Sequence, residues 1–120
     1  MNTEIIISSV VNLPDKFYKV KNVSIYLLLK KTGYFETHIE VDEANILKYL
    51  VSHKECVNQW LCWSEDKRNS SSWYFNEIEV GKYIVGYFPI NEHFEPMEFS
   101  DIIEACTAFI KREVEDIRKG

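Results

Sequence analysis

The sequence predicts an α+β domain on three observations. Up to Ser64, apolar side chains recur at the three-and-four spacing of short helices. Trp73 to Ile78 and Tyr83 to Phe88 are aromatic and β-branched runs on either side of Gly81. A single apolar stripe then runs from Ile102 to Ile117. The expected architecture is a set of short N-terminal helices, a small antiparallel sheet built on the 73–88 hairpin, and a long C-terminal helix packed on that sheet. The whole chain, 1–120, is expected to form one globular domain, since 120 residues is an ordinary domain length and no linker-like or repeated segment interrupts it.

Taken in order, Ile5 to Ile7 and Val10 to Val11 precede the turn signal Leu13-Pro14-Asp15 and fit either an extended edge strand or a short helix. From Ser24 the pattern sharpens. Ser24 is a good N-cap, Ile25, Leu28, Leu29 and Thr32 share a helical face, and Gly33 stands where a left-handed residue ends a helix. A second helix starts at Asp42, with Glu43 in the first turn where the helix dipole favours an acid and a stripe of Ile46, Leu47, Leu50 and Val51. In Glu55 to Ser64, Val57, Trp60, Leu61 and Ser64 suit a helix while Trp60, Cys62 and Ser64 also alternate as in a strand; helix is the reading adopted.

Asn69-Ser70-Ser71-Ser72 reads as a loop, and Gly81 supplies the positive φ a hairpin turn or bulge demands. Pro89 ends the second strand, and the run to Pro96 is a carboxylate-rich loop. Ser100 is the expected cap of the last helix, with Asp101 and Glu104 at its positive end and Arg118 and Lys119 at its negative end. Two strands alone are marginal, so a third is expected, with the Ile5 segment as its candidate.

Apolar residues at 46% and charged residues at 28% give both a core and a solvated exterior, which excludes wholesale disorder. No apolar run approaches the roughly 20 residues that cross a bilayer, and Met1-Asn2-Thr3-Glu4 carries no secretory leader, so a cytoplasmic location without membrane contact is expected. Cys56, Cys62 and Cys106 form no CxxC pair and are expected as reduced thiols.

Charge is the most informative feature. Glu77, Glu79, Glu92, Glu95, Glu98, Asp101 and Glu104 stand against the single base Lys82, a local balance of −6 in a chain of net charge −5. Tyr83, Tyr87, Phe88, Phe94 and Phe99 are interleaved among them. The early chain is opposite, with Lys16, Lys19, Lys21, Lys30 and Lys31 against Asp15. A concentrated acidic field repels phosphates and draws cationic proteins, so a basic protein partner is expected and nucleic acid is not.

Catalytic chemistry finds little support. Ser64 or Cys62 with His53 or His93 would be the hydrolase candidates, yet no GxSxG or other local motif joins them. Glu92-His93 beside Glu95 and Glu98 matches no metal-ligand spacing, and the four glycines make no phosphate-binding pattern. The hairpin aromatics Trp73, Phe75, Tyr83 and Tyr87 resemble a base-stacking platform, but Glu77 and Glu79 beside them oppose RNA. Catalytic, metal and cofactor residues are therefore expected to be none. The segment Trp63 to Ser70 fits either a functional rim or a structural loop in which Arg68 pairs with a carboxylate and a serine hydroxyl satisfies backbone amides.

Trp63-Ser64-Glu65-Asp66-Lys67-Arg68, Ser71-Ser72-Trp73-Tyr74-Phe75, Tyr83-Ile84-Val85-Gly86-Tyr87 and Glu104-Ala105-Cys106-Thr107-Ala108-Phe109-Ile110, together with the size and acidity of the chain, resemble the small acidic bacterial immunity proteins of contact-dependent inhibition and related polymorphic toxin systems. The resemblance implies a non-enzymatic, cofactor-free protein. Its partner would be the C-terminal toxin domain of a secreted effector, often a nuclease, neutralised by covering the active site or substrate-entry face. On that reading Glu77, Glu79, Glu92, Glu95 and Glu98 are expected to steer the partner, with Tyr83 or Tyr87 as a desolvated anchor. Two alternatives stay open: a regulatory or adaptor module for another basic protein, which needs the same face, and a small enzyme or ligand-binding domain, which needs a deep pocket near His53, Cys62 or His93.

Overall fold

The computed structural model describes residues 3–20, 22–66, 72–88 and 96–120. Its elements run α1 (Thr3–Val11), α2 (Leu13–Lys19), α3 (Ile25–Lys31), α4 (Tyr34–Thr37), α5 (Glu43–Ser52), α6 (Cys56–Asp66), β1 (Ser72–Glu79), β2 (Lys82–Phe88), β3 (Met97–Phe99) and α7 (Ile102–Lys119). The fold is α+β, with several helices, a three-stranded antiparallel sheet and the long C-terminal helix packed against it.

Local chemistry sets most of the boundaries. Ser24 Oγ accepts the Leu27 N–H at 3.1 Å and Asp42 Oδ1 accepts the Asn45 N–H at 2.9 Å, so both expected caps start their helices. Gly33 follows α3 with φ +92°, a conformation in which a β-carbon is disfavoured. At α7 the cap is Asp101 rather than Ser100: its carboxylate accepts the N–H groups of Ile103 at 2.7 Å and Glu104 at 3.4 Å. An ionised cap interacts with the positive helix end more strongly than a hydroxyl, which moves the start by one residue.

The N-terminal segment resolves as a helix. Ile6, Ile7, Val10 and Val11 are buried while Ile5 faces solvent, a helical and not an alternating pattern. It therefore does not supply the third strand. That role falls to β3, whose Met97, Glu98 and Phe99 pair with Val85, Ile84 and Tyr83. Strand order is β1-β2-β3, with Trp73, Phe75 and Glu77 opposite Tyr87, Val85 and Tyr83. Directly opposed residues share a face. Trp73, Phe75, Tyr83, Val85, Tyr87, Met97 and Phe99 consequently lie on the side that meets the core, and Tyr74, Asn76, Ile84, Gly86 and Glu98 lie on the other. Gly86 makes room for the Tyr74 ring that crosses the strand opposite it: a β-carbon there would meet Tyr74 Oη at 2.6 Å and Cζ at 2.8 Å and push the ring tip aside.

All layers share one buried cluster. Phe109 of α7 is its hub, 5.8 Å from the Phe75 ring of β1 and 6.0 Å from Trp60 of α6 in an edge arrangement. Trp60 also donates its indole N–H to the Val11 carbonyl at 2.8 Å, tying α6 to α1. The Trp63-Ser64 pair is structural. The Trp63 indole donates to the buried Glu113 carboxylate at 2.7 Å, and Ser64 Oγ accepts the Phe75 N–H at 2.8 Å, clamping α6 along the edge of β1. Arg68 and the rest of that loop, 67–71, lie outside the described residues. No helix among the described residues is long and apolar enough to cross a membrane.

Candidate functional site

The sheet ends in a tip formed by Glu77 to Lys82. Glu79 pairs with Lys82 across Val80-Gly81, and Gly81 takes φ +80° to close the turn. Between the pairs Glu77–Tyr83 and Glu79–Lys82 the register shifts, leaving Ile78 as the extra residue of a bulge. A bulge re-aims the side chains that follow it. Here it leaves Glu77 on the inner face, next to Tyr83, while Glu79 turns to the far side with Glu98.

Lys82 joins that far-side pair, with Nζ 3.3 Å from Glu79 Oε1 and 3.7 Å from Glu98 Oε1. Its charge is spent inside the cluster, so the tip presents a net excess of carboxylate. On the inner side, desolvation and then the Glu77 and Asp101 carboxylates raise the Tyr83 phenol pKa, and Glu77 is placed to take the phenol's hydrogen bond. Among these charges stand two apolar side chains, Ile78 at 54% and Val80 at 97% exposure.

Of the seven residues expected to bind a partner, Glu77, Glu79, Tyr83 and Glu98 come together around this tip, on two faces of one hairpin end. Glu92 and Glu95 lie outside the described residues, as does His93. Tyr87 is separate. It sits four residues along β2 from Tyr83, about 13 Å away at the usual strand rise. There it packs edge-on against Trp73 at 5.4 Å and lines an open cleft of about 550 Å³ with α7. Arg112 lines the same cleft: its guanidinium lies 5.8 Å over Trp73, donates to the Ala108 carbonyl at 3.1 Å and approaches Glu43 at 3.6 Å. Ile78 and Val80 escaped the sequence reading. The available signal was a Val-Gly turn where Asn-Gly or Asp-Gly is the usual hairpin chemistry.

The hydrolase candidates are not brought together. His53 stacks on Tyr49 at 3.9 Å, with Nδ1 2.9 Å from the Tyr49 carbonyl, whereas Ser64 is buried against β1 and Cys62 is exposed on α6. Among the described residues no group of three His, Cys, Asp or Glu side chains is placed to hold a metal ion.

A second polar cluster joins α7 to α4. The Tyr34 hydroxyl donates to Glu115 Oε2 at 2.6 Å, Arg118 donates to both Glu115 oxygens at 2.8 and 3.1 Å, and Lys111 donates to Tyr34 Oη and to the His38 and Val41 carbonyls at 2.6 to 2.8 Å. Burial works to raise the Glu115 pKa, but the Arg118 and Tyr34 hydrogen bonds and the Lys111 charge outweigh it and hold the carboxyl at about 2. Burial pushes the Tyr34 phenol up, with Glu115 adding to it, and pushes Lys111 down. These groups face one another, and the cluster fastens the turn after α4 to the C-terminal helix.

No protein-family model, curated protein or solved structure matches this chain.

Proposed function

We propose that this chain is an immunity-type binding protein, which docks the carboxylate-rich end of its sheet onto the cationic face of a toxin domain of nuclease type and blocks substrate entry. The observation that carries the reading is the gathering of exposed Glu77, Glu79 and Glu98 at one hairpin end where Lys82, the one base there among the described residues, is engaged by two of them. A protein that acts on nucleic acid presents cations to phosphate, and a projecting carboxylate array fits that same surface and accelerates encounter. The likeness in type to the immunity proteins of polymorphic toxin systems supports the choice of partner. Function on this account needs no bond-making step, no metal and no cofactor.

The test is co-expression of the chain with candidate nuclease toxin domains, scored by cell survival. At least one toxin is expected to be neutralised, and Glu77→Lys/Glu79→Lys/Glu98→Lys is expected to lose that protection while keeping its melting temperature within a few degrees. Full protection by the reversed chain would remove the electrostatic basis of the reading.

A further inference from the structure

We infer that the hairpin end is an apolar plug in an acidic collar: Ile78 and Val80 enter a hydrophobic hollow within the partner's cationic cleft, while Glu77, Glu79 and Glu98 pair with the cations around its mouth. The inference rests on the proposed docking reading and specifies the shape and chemistry of the surface that is docked.

Val80 is 97% exposed, at the outermost position of a turn where polar residues are the norm. Ile78, 54% exposed, is thrown outward by the bulge between Glu77 and Glu79. Neither is in the buried core or among the apolar residues packed against it. Water around these two side chains is a standing cost that burial in a partner removes.

Their setting selects the partner. Exposed carboxylates surround the two apolar groups, Lys82 is held by Glu79 and Glu98, and the inner-side phenol of Tyr83 stands beside Glu77. A neutral or acidic surface would leave these carboxylates desolvated and unpaired on closure. A flat basic surface would meet Val80 at the outermost position and leave Glu77 and Glu98, set back along the strands, short of its cations. The arrangement of apolar centre and charged rim is that of an interface hot spot, and its projection on a two-residue turn matches a concave site. The collar sets the association rate and the plug sets the dissociation rate.

The experiment measures binding kinetics against the toxin domain that the chain neutralises in cells, using Ile78→Ser/Val80→Ser, Val80→Ser alone, the Glu77/Glu79/Glu98 reversal, and Ile39→Ser, an exposed apolar residue between α4 and α5, as control. Val80→Ser leaves the folded chain unstrained, because this side chain is almost wholly in solvent. The double serine variant is expected to dissociate about tenfold or more faster, with the salt dependence of association unchanged, and Val80→Ser alone to show part of that effect. The reversed variant is expected to associate about tenfold or more slowly, and Ile39→Ser to match the parent. If both serine variants bind within twofold of the parent while the reversal abolishes binding, the plug is wrong and the acidic docking reading survives. If neither set of substitutions changes binding, both fall together.

Discussion

Protonation of Glu115 offers a direct reading of the clamp between α4 and α7. Its carboxyl titrates at about 2 in the folded chain against an ordinary value of 4.5. A folded pKa below the unfolded one means that the group stabilises the fold above pH 4.5 and loses that contribution as pH falls toward 2. The displacement corresponds to a ceiling of roughly 3 kcal/mol at 1.36 kcal/mol per unit. The side chain is 23% exposed, so water screens part of this and a contribution of about 1–2 kcal/mol is expected. Glu115→Gln keeps the shape and removes the charge. Urea denaturation at pH 7 is expected to show the variant about 1–2 kcal/mol less stable than the parent, with the gap shrinking to about a quarter of that by pH 2.5 and vanishing as pH falls below the folded pKa of about 2. A gap that stays constant between pH 7 and pH 2.5, or no gap at pH 7, would refute the reasoning, because either result separates the stability of the clamp from the charge on Glu115.

Three further outcomes follow from the packing. Ser64→Ala leaves the Phe75 N–H without its acceptor in a buried setting and is expected to lower unfolding stability by about 1–3 kcal/mol, read from urea melts at neutral pH. Gly86→Ala drives a β-carbon into the Tyr74 ring and is expected to destabilise by about 1–3 kcal/mol, while the same change in a Tyr74→Ala background is expected to cost much less, a coupling that a double-mutant cycle measures. With a thiol reagent at pH 8, Cys62 is expected to label in the native state, whereas Cys56 and Cys106 react only on unfolding, since both are buried and burial raises their pKa values.

The parts of the fold that were legible in the sequence are those decided within a few residues. Ser24 and Asp42 announce their helices because a capping side chain acts on the N–H three positions ahead. Gly81 between two β-branched runs announces the hairpin for the same local reason. Long-range effects hid the rest. Met97-Glu98-Phe99 is too short to display a strand period, and its pairing depends on the neighbouring β2. Ile5-Ile6-Ile7 is a continuous apolar run in which no period shows, and only packing reveals that Ile5 is outside and Ile6 inside. The four-residue α4, immediately after Gly33, gave no signal at all.

The candidate site was half legible for similar reasons. Acidity is a property of composition and was plain between Glu77 and Glu104. Which face each carboxylate occupies depends on the bulge at Ile78, and a one-residue shift exchanges faces. Tyr83 and Tyr87 look equivalent in the sequence, yet one stands by the tip and the other is occupied with Trp73 above α7. Ile78 and Val80 read as ordinary strand residues until the turn is placed, when they become the outermost apolar groups of the hairpin.

The central claim is that this projecting carboxylate cluster carries the chain onto a cationic protein, and the ionic-strength dependence of the association rate with a neutralised toxin domain tests it most directly. Raising salt from about 0.01 M to about 1 M shortens the screening length from roughly 30 Å to 3 Å, so the rate is expected to fall by about tenfold or more in the parent and to rise in the Glu77→Lys/Glu79→Lys/Glu98→Lys chain, whose tip has become cationic and is repelled at low salt. A parent rate that is flat across that range would contradict the account.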